Sequence, residues 1–296
     1  TAMETMKRIA GLIRPYRRKV VIGLTLQLIV ILSRLIAPYV TAAVVNDVIT
    51  DRHIELLLPL CGAILGLALV RGFSNFGRAT IFERISQDAI WDLRTGLYAH
   101  LEELPYQFYD KHRVGEIMSR MTGDLDGIRN LLAGGIVTVF DNGLNFAGAL
   151  IFMMTMSWQI TLMILIMTPL IAVMAWIFNK KIRPVFRAVR EQNAALNTRT
   201  QENLAGMHVV KAFAQEAHEE EMFQKENRQL LDLNLKASWI WSNFVPFMDF
   251  LGALCTPIAL LGGAFLTMRG DMDIGTMVGV TGYIWMLVNP MRQLSN

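Results

Sequence analysis

Residues 105–128 read PYQFYDKHRVGEIMSRMTGDLDGI. The stretch is dense in charge, yet it interrupts a chain that is 53% hydrophobic. Its three aromatic side chains, Tyr106, Phe108 and Tyr109, are more than a merely solvated loop needs. On either side the charges almost vanish: residues 56–77 hold one, Arg71, and residues 130–156 hold one, Asp141. Four further blocks look the same. Residues 20–46 hold only Arg34, 159–178 no charge, 237–268 only Asp249, and 274–291 none. A spanning helix needs about 20 mostly apolar residues. The six blocks therefore read as six transmembrane helices of an all-α membrane protein, in keeping with a mean hydropathy of +0.37.

The pI of about 8.9 would admit nucleic acid as a partner, but the placement of the basic residues argues against it. With both termini cytoplasmic, six Lys and Arg residues precede residue 20, seven fall in 78–129, ten in 179–238, and Arg292 lies at the end. Only Arg52 and Arg269 fall outside. Such a bias sets orientation, and the expectation is a multi-pass protein of the cell membrane, the bacterial inner membrane, with no nucleic-acid partner. Cys61 and Cys255 sit in apolar blocks and read as small core residues. Residues 1–18 form a separate element, an amphipathic elbow helix on the inner membrane surface, since METMKRIAGLIRP (3–15) alternates apolar and basic positions at helical spacing. Thr1 and Ala2 read as an added remnant ahead of Met3. Residues 19–296 then form the membrane domain.

The loops divide sharply by length. TDRH, MSWQ and RGDMD are short external turns, the last explained by its Gly-Asp pair rather than by adhesion. The internal segments 78–129 and 179–238 are long and lack the alternation of strands. Ile81, Ile85, Ala89, Leu93, Leu97, Leu101 and Leu104 fall three or four apart, which predicts that the second span continues as a helix to about residue 104. At 1.5 Å per residue this reaches roughly 40 Å into the cytoplasm. Residues 179–205 extend the fourth span likewise, and Pro105 and Gly206 are the natural breaks. Two helical hairpins result, each with a short element at its tip.

At the tips the sequence resembles the transmembrane domain of ABC exporters. FYDKHRVGEIMSRMTGDLDGI is similar to their first intracellular loop, at Phe108, Tyr109, Asp110, Gly115, Glu116, Arg120 and Asp124. QENLAGMHVVKAFAQE (201–216) is similar to the second, at Glu202, Gly206, Val210, Lys211, Phe213 and Glu216. APYVTAAVVNDVI, SWQITLMILIMTPL and GDMDIGTMVGVTGYIWMLVNPMRQL resemble the first, fourth and sixth spans, so the likeness covers almost the whole chain. It implies the exporter fold: six helices per protomer, long cytoplasmic extensions and two coupling helices seated in clefts of nucleotide-binding domains. It also implies a second transmembrane domain as partner, an identical chain in a homodimer, with alternating access driven by ATP. No G-x-x-x-x-G-K-[ST] loop and no LSGGQ-like signature occurs. No ATPase activity or cofactor is expected of this chain, and ATP and Mg are expected in a nucleotide-binding domain, truncated away or on a separate subunit.

On this reading the first tip contacts the ATPase domain through Tyr106, Phe108, Tyr109, Asp110, Lys111, His112 and Arg113. The second does so through Met207, His208, Val209, Val210, Lys211 and Phe213. Gly115, Glu116, Arg120 and Asp124, with Glu202, Gly206 and Glu216, belong to the levers that return motion to the membrane. The bland alternative at both tips is a solvated turn. Within the membrane, Arg34, Asp141, Asp249 and Arg71 are costly enough to need an interior position or a partner. Arg34 is expected to pair with Asp141 or Asp249, either as a structural ion pair between packed helices or as part of the substrate pathway. The methionines suit an amphipathic or apolar substrate or an ordinary core, and Trp158 and Trp239 suit the interfacial belt. His53 is a weak metal candidate without a second ligand in spacing. Membrane lipid is a further partner. Two other classes fit the span pattern: a stand-alone proton-coupled secondary carrier, which leaves the long hairpins without purpose, and a membrane-anchored receptor or sensor domain that signals through those hairpins.

Overall fold

The computed structural model describes residues 11, 14–111 and 114–293. Among the described residues there is no strand. A 3-10 turn, Arg14–Tyr16, leads into α1 (Arg17–Ala43), which runs on into a π-helical segment, Val44–Thr50. Then come α2 (Leu57–Glu103), α3 (Tyr106–Lys111), α4 (Val114–Ser119), α5 (Leu125–Asn130), α6 (Ile136–Met156), α7 (Trp158–Ala205), α8 (Met207–Ala212), α9 (Glu216–Met268) and α10 (Ile274–Gln293). The expected N-terminal amphipathic helix falls almost wholly outside the described residues.

Among the described residues, five helical stretches are long and apolar enough to cross a membrane: Arg14–Thr50, Ile54–Glu103, Val114–Met156, Trp158–Ala205 and Glu216–Met268. α10, expected as a sixth span, is not among them. Three glycines, Asn289, Pro290 and a terminal Arg292–Gln293 dilute its apolar content.

The chain divides into two compact units, each described here by itself. The first holds residues 1–158 and 263–286. Its base is an antiparallel pair of α1 and α2, fixed by close approach. A Cβ at Gly23 would meet the Phe82 ring at 2.8 Å, and one at Gly77 would meet Leu26 at 3.2 Å. Charge continues the register, with Lys19 Nζ 2.7 Å from Asp88 Oδ2 and the Tyr16 hydroxyl donating to Asp92 Oδ2 at 2.5 Å. The buried stripe of α2 is Phe82, Ile85, Ser86, Ala89 and Ile90, shorter than the stripe expected from the sequence. Leu97 is exposed, and Leu93, Leu101 and Leu104 are only half-buried. The apolar window of α2 buries no residue, so this face waits for lipid or a partner.

The first half of α10 packs on α1 through small residues. A Cβ at Gly275 would run into Ala42 O and Asn46, one at Gly279 would meet Met156 at 2.6 Å, and one at Gly282 would touch Pro38 at 3.0 Å. Glycines at this spacing let membrane helices approach closely. Polar contacts lock the approach. Gly275 N–H donates to Asn46 Oδ1 at 2.7 Å, and Tyr283 donates its hydroxyl to the Leu35 carbonyl, one turn before Pro38. Phe152 of α6 stacks on Tyr283 with centroids 6.0 Å apart.

The second unit, residues 159–262 and 287–296, centres on the α7–α9 hairpin. Buried side chains on α7 recur at alternating steps of three and four: Ile164, Thr168, Ile171, Ala175, Phe178, Ile182 and Val185. That is the seam of a left-handed helix pair. Ala175, Phe178, Ile182 and Val185 form one cluster with Ala237, Ile240 and Met248 of α9. Towards the tip the seam turns polar, with Gln192 Nε2 donating to Glu226 Oε2 at 2.5 Å and Arg199 paired to Glu219 at 3.1 Å.

The expected RGD turn is a helix cap. Gly270 has φ +78, its N–H donates to Thr267 O at 3.0 Å and the Asp271 N–H donates to Leu266 O at 3.0 Å. This is the Schellman arrangement, in which glycine takes the left-handed position that terminates a helix.

Candidate functional site

The first tip begins where α2 stops at Glu103, with Leu104 extended ahead of Pro105. Proline biases its predecessor away from helical angles. The chain re-enters a single turn, α3, opened by Phe108 N–H donating to Pro105 O at 2.9 Å. Tyr109 donates its hydroxyl to Leu101 O, which pins α3 back on the end of α2. The Phe108 and Tyr109 rings meet edge to face, centroids 5.5 Å apart. Tyr106 is left 90% exposed, with Asp110 and Lys111 beside it on the surface. His112 and Arg113, expected as contacts, lie outside the described residues.

The return from this tip is not one smooth helix. α4 gives way to a π segment, Arg120–Asp124, then α5, then a second π segment, Leu131–Gly135. Glu116 and Arg120 pair along it at 2.7 Å, while Gly115 and Asp124 are exposed. A Cβ would meet nothing at Gly115, Gly123, Gly127 or Gly134, so close packing does not require these glycines. They lower helix propensity instead, which suits a segment built of alternating windings. Leu125 and Leu132 hold it against α2.

The second tip turns at Gly206, whose N–H donates to Glu202 O at 2.8 Å. α8 follows, with Met207, His208, Val209 and Lys211 exposed and Val210 half-buried. Phe213 is 72% exposed. The tip closes by the same double capping bond as α9. The Ala214 N–H donates to Lys211 O at 3.3 Å, and Gln215 N–H donates to Val210 O at 3.0 Å. Here the left-handed position is taken by an alanine, Ala214, at φ +48. Glu202 and Glu216 flank the tip on the surface.

Of the charges in the apolar helices, Arg34 and Asp141 are brought together, Nη1 to Oδ2 at 3.4 Å, with 36% and 27% of their side chains exposed. Gln27, one of the most deeply buried polar side chains, donates Nε2 to Asp141 Oδ1 at 2.5 Å. Asn145, also buried, donates to the Asp141 backbone carbonyl at 2.7 Å. Both carboxylate oxygens of Asp141 are thus engaged. Gln27 and Asn145 escaped a sequence reading that counted formal charges only. An uncharged amide inside an apolar block is the signal that would have found them, since hydrocarbon offers it no partner. Asp249 lies half-buried on α9, in the other unit. Arg71 is exposed, with no ion-pair partner among the described residues. His53 is exposed in the turn before α2, and no group of three or more metal-binding side chains occurs among the described residues.

Outside the apolar segments two tyrosines among the described residues are displaced upward: the hydrogen bond with Glu102 raises Tyr98, and Tyr16 is the larger case. Acceptance of the Tyr16 hydroxyl by Asp92, helped by partial burial, pushes the phenol up to about 12.

A family model described as "ABC transporter transmembrane region" matches residues 20–291. The chain belongs to the ABC transporter transmembrane family. Several curated proteins are similar to it in sequence. One is YknU of Bacillus subtilis, an uncharacterized ABC transporter ATP-binding protein, 29% identical over 99% of this chain and 50% of its own length. The ATP-dependent lipid A-core flippase of Syntrophus aciditrophicus is 27% identical over 99% of this chain and 49% of its own length. The flippase of the same name from Salmonella typhimurium is 23% identical over 83% of this chain and 42% of its own length. The chain spans about half the length of the first two of these relatives. With five apolar helices of spanning length, this ABC transmembrane region is a multi-pass membrane protein.

Proposed function

We propose that the chain is the membrane half of an ATP-driven exporter, forming the path of an amphipathic or apolar substrate by alternating access. α3 and α8 are its coupling helices, each seated in a cleft of an ATP-binding domain that carries ATP and Mg and is fused or separate. Two transmembrane domains make the working unit, as a homodimer in a bacterial inner membrane with cytoplasmic termini, and α10 is its sixth span. The levers are α4 to α6, with Gly115, Glu116, Arg120 and Asp124, and the ends of α7 and α9, with Glu202, Gly206 and Glu216. The Arg34–Asp141 pair latches α1 to α6 beside the path.

The observation that carries this reading is the build of the tips. Each caps a helix of 47 or 48 residues that runs far past its apolar part, and each presents a large exposed side chain, Tyr106 or Phe213, to water. Buried aromatic anchors ringed by polar groups are what a protein interface uses, and neither ring has such a socket within its own unit. The names of the relatives, ATP-binding protein and ATP-dependent flippase, agree with an ATPase as the partner. The test is transport in proteoliposomes by the protein with its ATP-binding domain. Tyr106→Ala and Phe213→Ala are each expected to cost 2 kcal/mol or more of the contact, about 30-fold in coupling. Nucleotide affinity is expected to stay the same while transport and substrate-stimulated ATP hydrolysis fall together. Unchanged transport in the double variant would overturn the reading.

A further inference from the structure

The α7–α9 hairpin carries a groove that coupling leaves unused. Its volume is about 390 Å³, and its walls include Lys181, Val185, Leu233, Lys236, Trp239 and Ile240. Sites for small molecules fall in the same size range. Apart from two ammonium groups the walls are apolar, so an occupant must be apolar along most of its length and anionic at one end.

The level of the groove narrows this further. The apolar run of α7 ends at Phe178 and is followed by Asn179, Lys180 and Lys181, while that of α9 starts at Ala237, directly after Lys236. Both walls therefore pass from charged to apolar sequence at the groove. Trp176, Trp239 and Trp241 gather at the same level, exposed. Tryptophan and basic side chains together mark the boundary between bilayer and water. Lys181 Nζ sits 5.1 Å from the centroid of Phe244, and Lys180 Nζ 5.3 Å from that of Trp176, so these stems lie along aromatic faces. Neither Lys181 nor Lys236 has a carboxylate within ion-pair distance among the described residues, although Asp232 is one turn from Lys236.

We propose that this groove holds an anionic phospholipid of the adjoining leaflet. Its phosphate is held by Lys181 and Lys236, and an acyl chain leaves past Trp239 and Ile240 towards the apolar run of α9. Basic pockets between transmembrane helices bind anionic head groups in this way. A zwitterionic lipid fills the same apolar wall and gains little from the lysines.

Trp239 supplies the readout. The protein, with its ATP-binding domain, is reconstituted in nanodiscs containing brominated phosphatidylglycerol or brominated phosphatidylcholine at equal mole fraction. Tryptophan quenching by the anionic lipid is expected to exceed that by the zwitterionic one, and Trp239→Phe removes the excess. Each lysine contributes roughly fivefold to the preference. Lys181→Gln with Lys236→Gln abolishes it, and Lys181→Arg with Lys236→Arg, which keeps the charges, restores it. Equal quenching by the two lipids, or an excess indifferent to the glutamine variants, overturns the proposal. So does an excess that disappears during ATP turnover, since that identifies cargo in transit rather than a resident lipid.

Discussion

Asp141 shows how much one side chain decides here. It is flanked by Arg34, and it accepts the amide of Gln27, which is 1% exposed. A hydrogen bond from a neutral donor to a charged acceptor contributes about 1.5–3 kcal/mol, and a buried donor stripped of its partner costs about as much. Asp141→Ala is therefore expected to lower thermal stability clearly, by about 2–3 kcal/mol. Gln27→Leu costs less, because it removes the donor together with the buried Gln27 Oε1, which has no hydrogen-bond partner among the described residues. A double-mutant cycle of Gln27 and Asp141 by thermal unfolding in detergent should give a coupling of about 1–2 kcal/mol, and a coupling near zero would rule out the contact. Tyr16 gives a second prediction at this scale. Its pKa lies above the unfolded value of 10.0, so the Asp92 contact stabilises fully below about pH 10 and is lost as pH rises towards 12. Phenolate absorbance on alkaline titration should show a late-ionising fraction, and Tyr16→Phe should lower that fraction by one tyrosine.

Among the elements, the return from the first tip and the cap of the second are the informative ones. The π segments at Arg120–Asp124 and Leu131–Gly135 bracket α5, and π windings concentrate where helices do work. Gly123 and Gly127 have open space around them. Alanine at either is expected to raise stability by about 1 kcal/mol, read as a higher melting temperature, while transport slows as the lever stiffens. The alanine at φ +48 that closes α8 is the opposite case. A left-handed conformation costs an ordinary residue about 1–2 kcal/mol, and Ala214→Gly relieves most of it. Slower hydrogen exchange at Gln215 and across α8 should follow, and no change would show that the turn is not strained.

For the whole molecule, the proposed function requires a definite topology. In a protein with Cys61 and Cys255 replaced, cysteine at Asp110 or Lys211 should react with an impermeant maleimide only in inside-out vesicles. Cysteine at Asp271 should react only in intact cells. Labelling of all three from one side would exclude the spanning arrangement. The exposed face of α2, from Leu58 through Leu65 and Leu69 to Phe73, belongs to this scale as well. Among the described residues nothing covers it, and on the proposed function lipid or a second transmembrane domain does.

The sequence by itself determined the helices, because composition and breakers act locally. Blocks short of charge became helices of spanning length, α2 ended next to Pro105, and α7 ended at Ala205 ahead of Gly206. The tips were legible too, since a break followed by aromatics in a charged loop is a feature of the chain itself. Tertiary structure alone decided which residues meet. Arg34 had two candidate partners at similar depth, and only the packing of α6 on α1 selected Asp141 and added Gln27 and Asn145 from positions that look unremarkable in the chain. The close approach of Gly275, Gly279 and Gly282 to α1 was equally hidden, because a small residue shows its purpose only when a backbone arrives beside it. The uncharged block 274–291 read as a sixth span, yet α10 is not among the helices apolar enough to cross, because a helix that packs through glycines and polar contacts carries fewer apolar side chains.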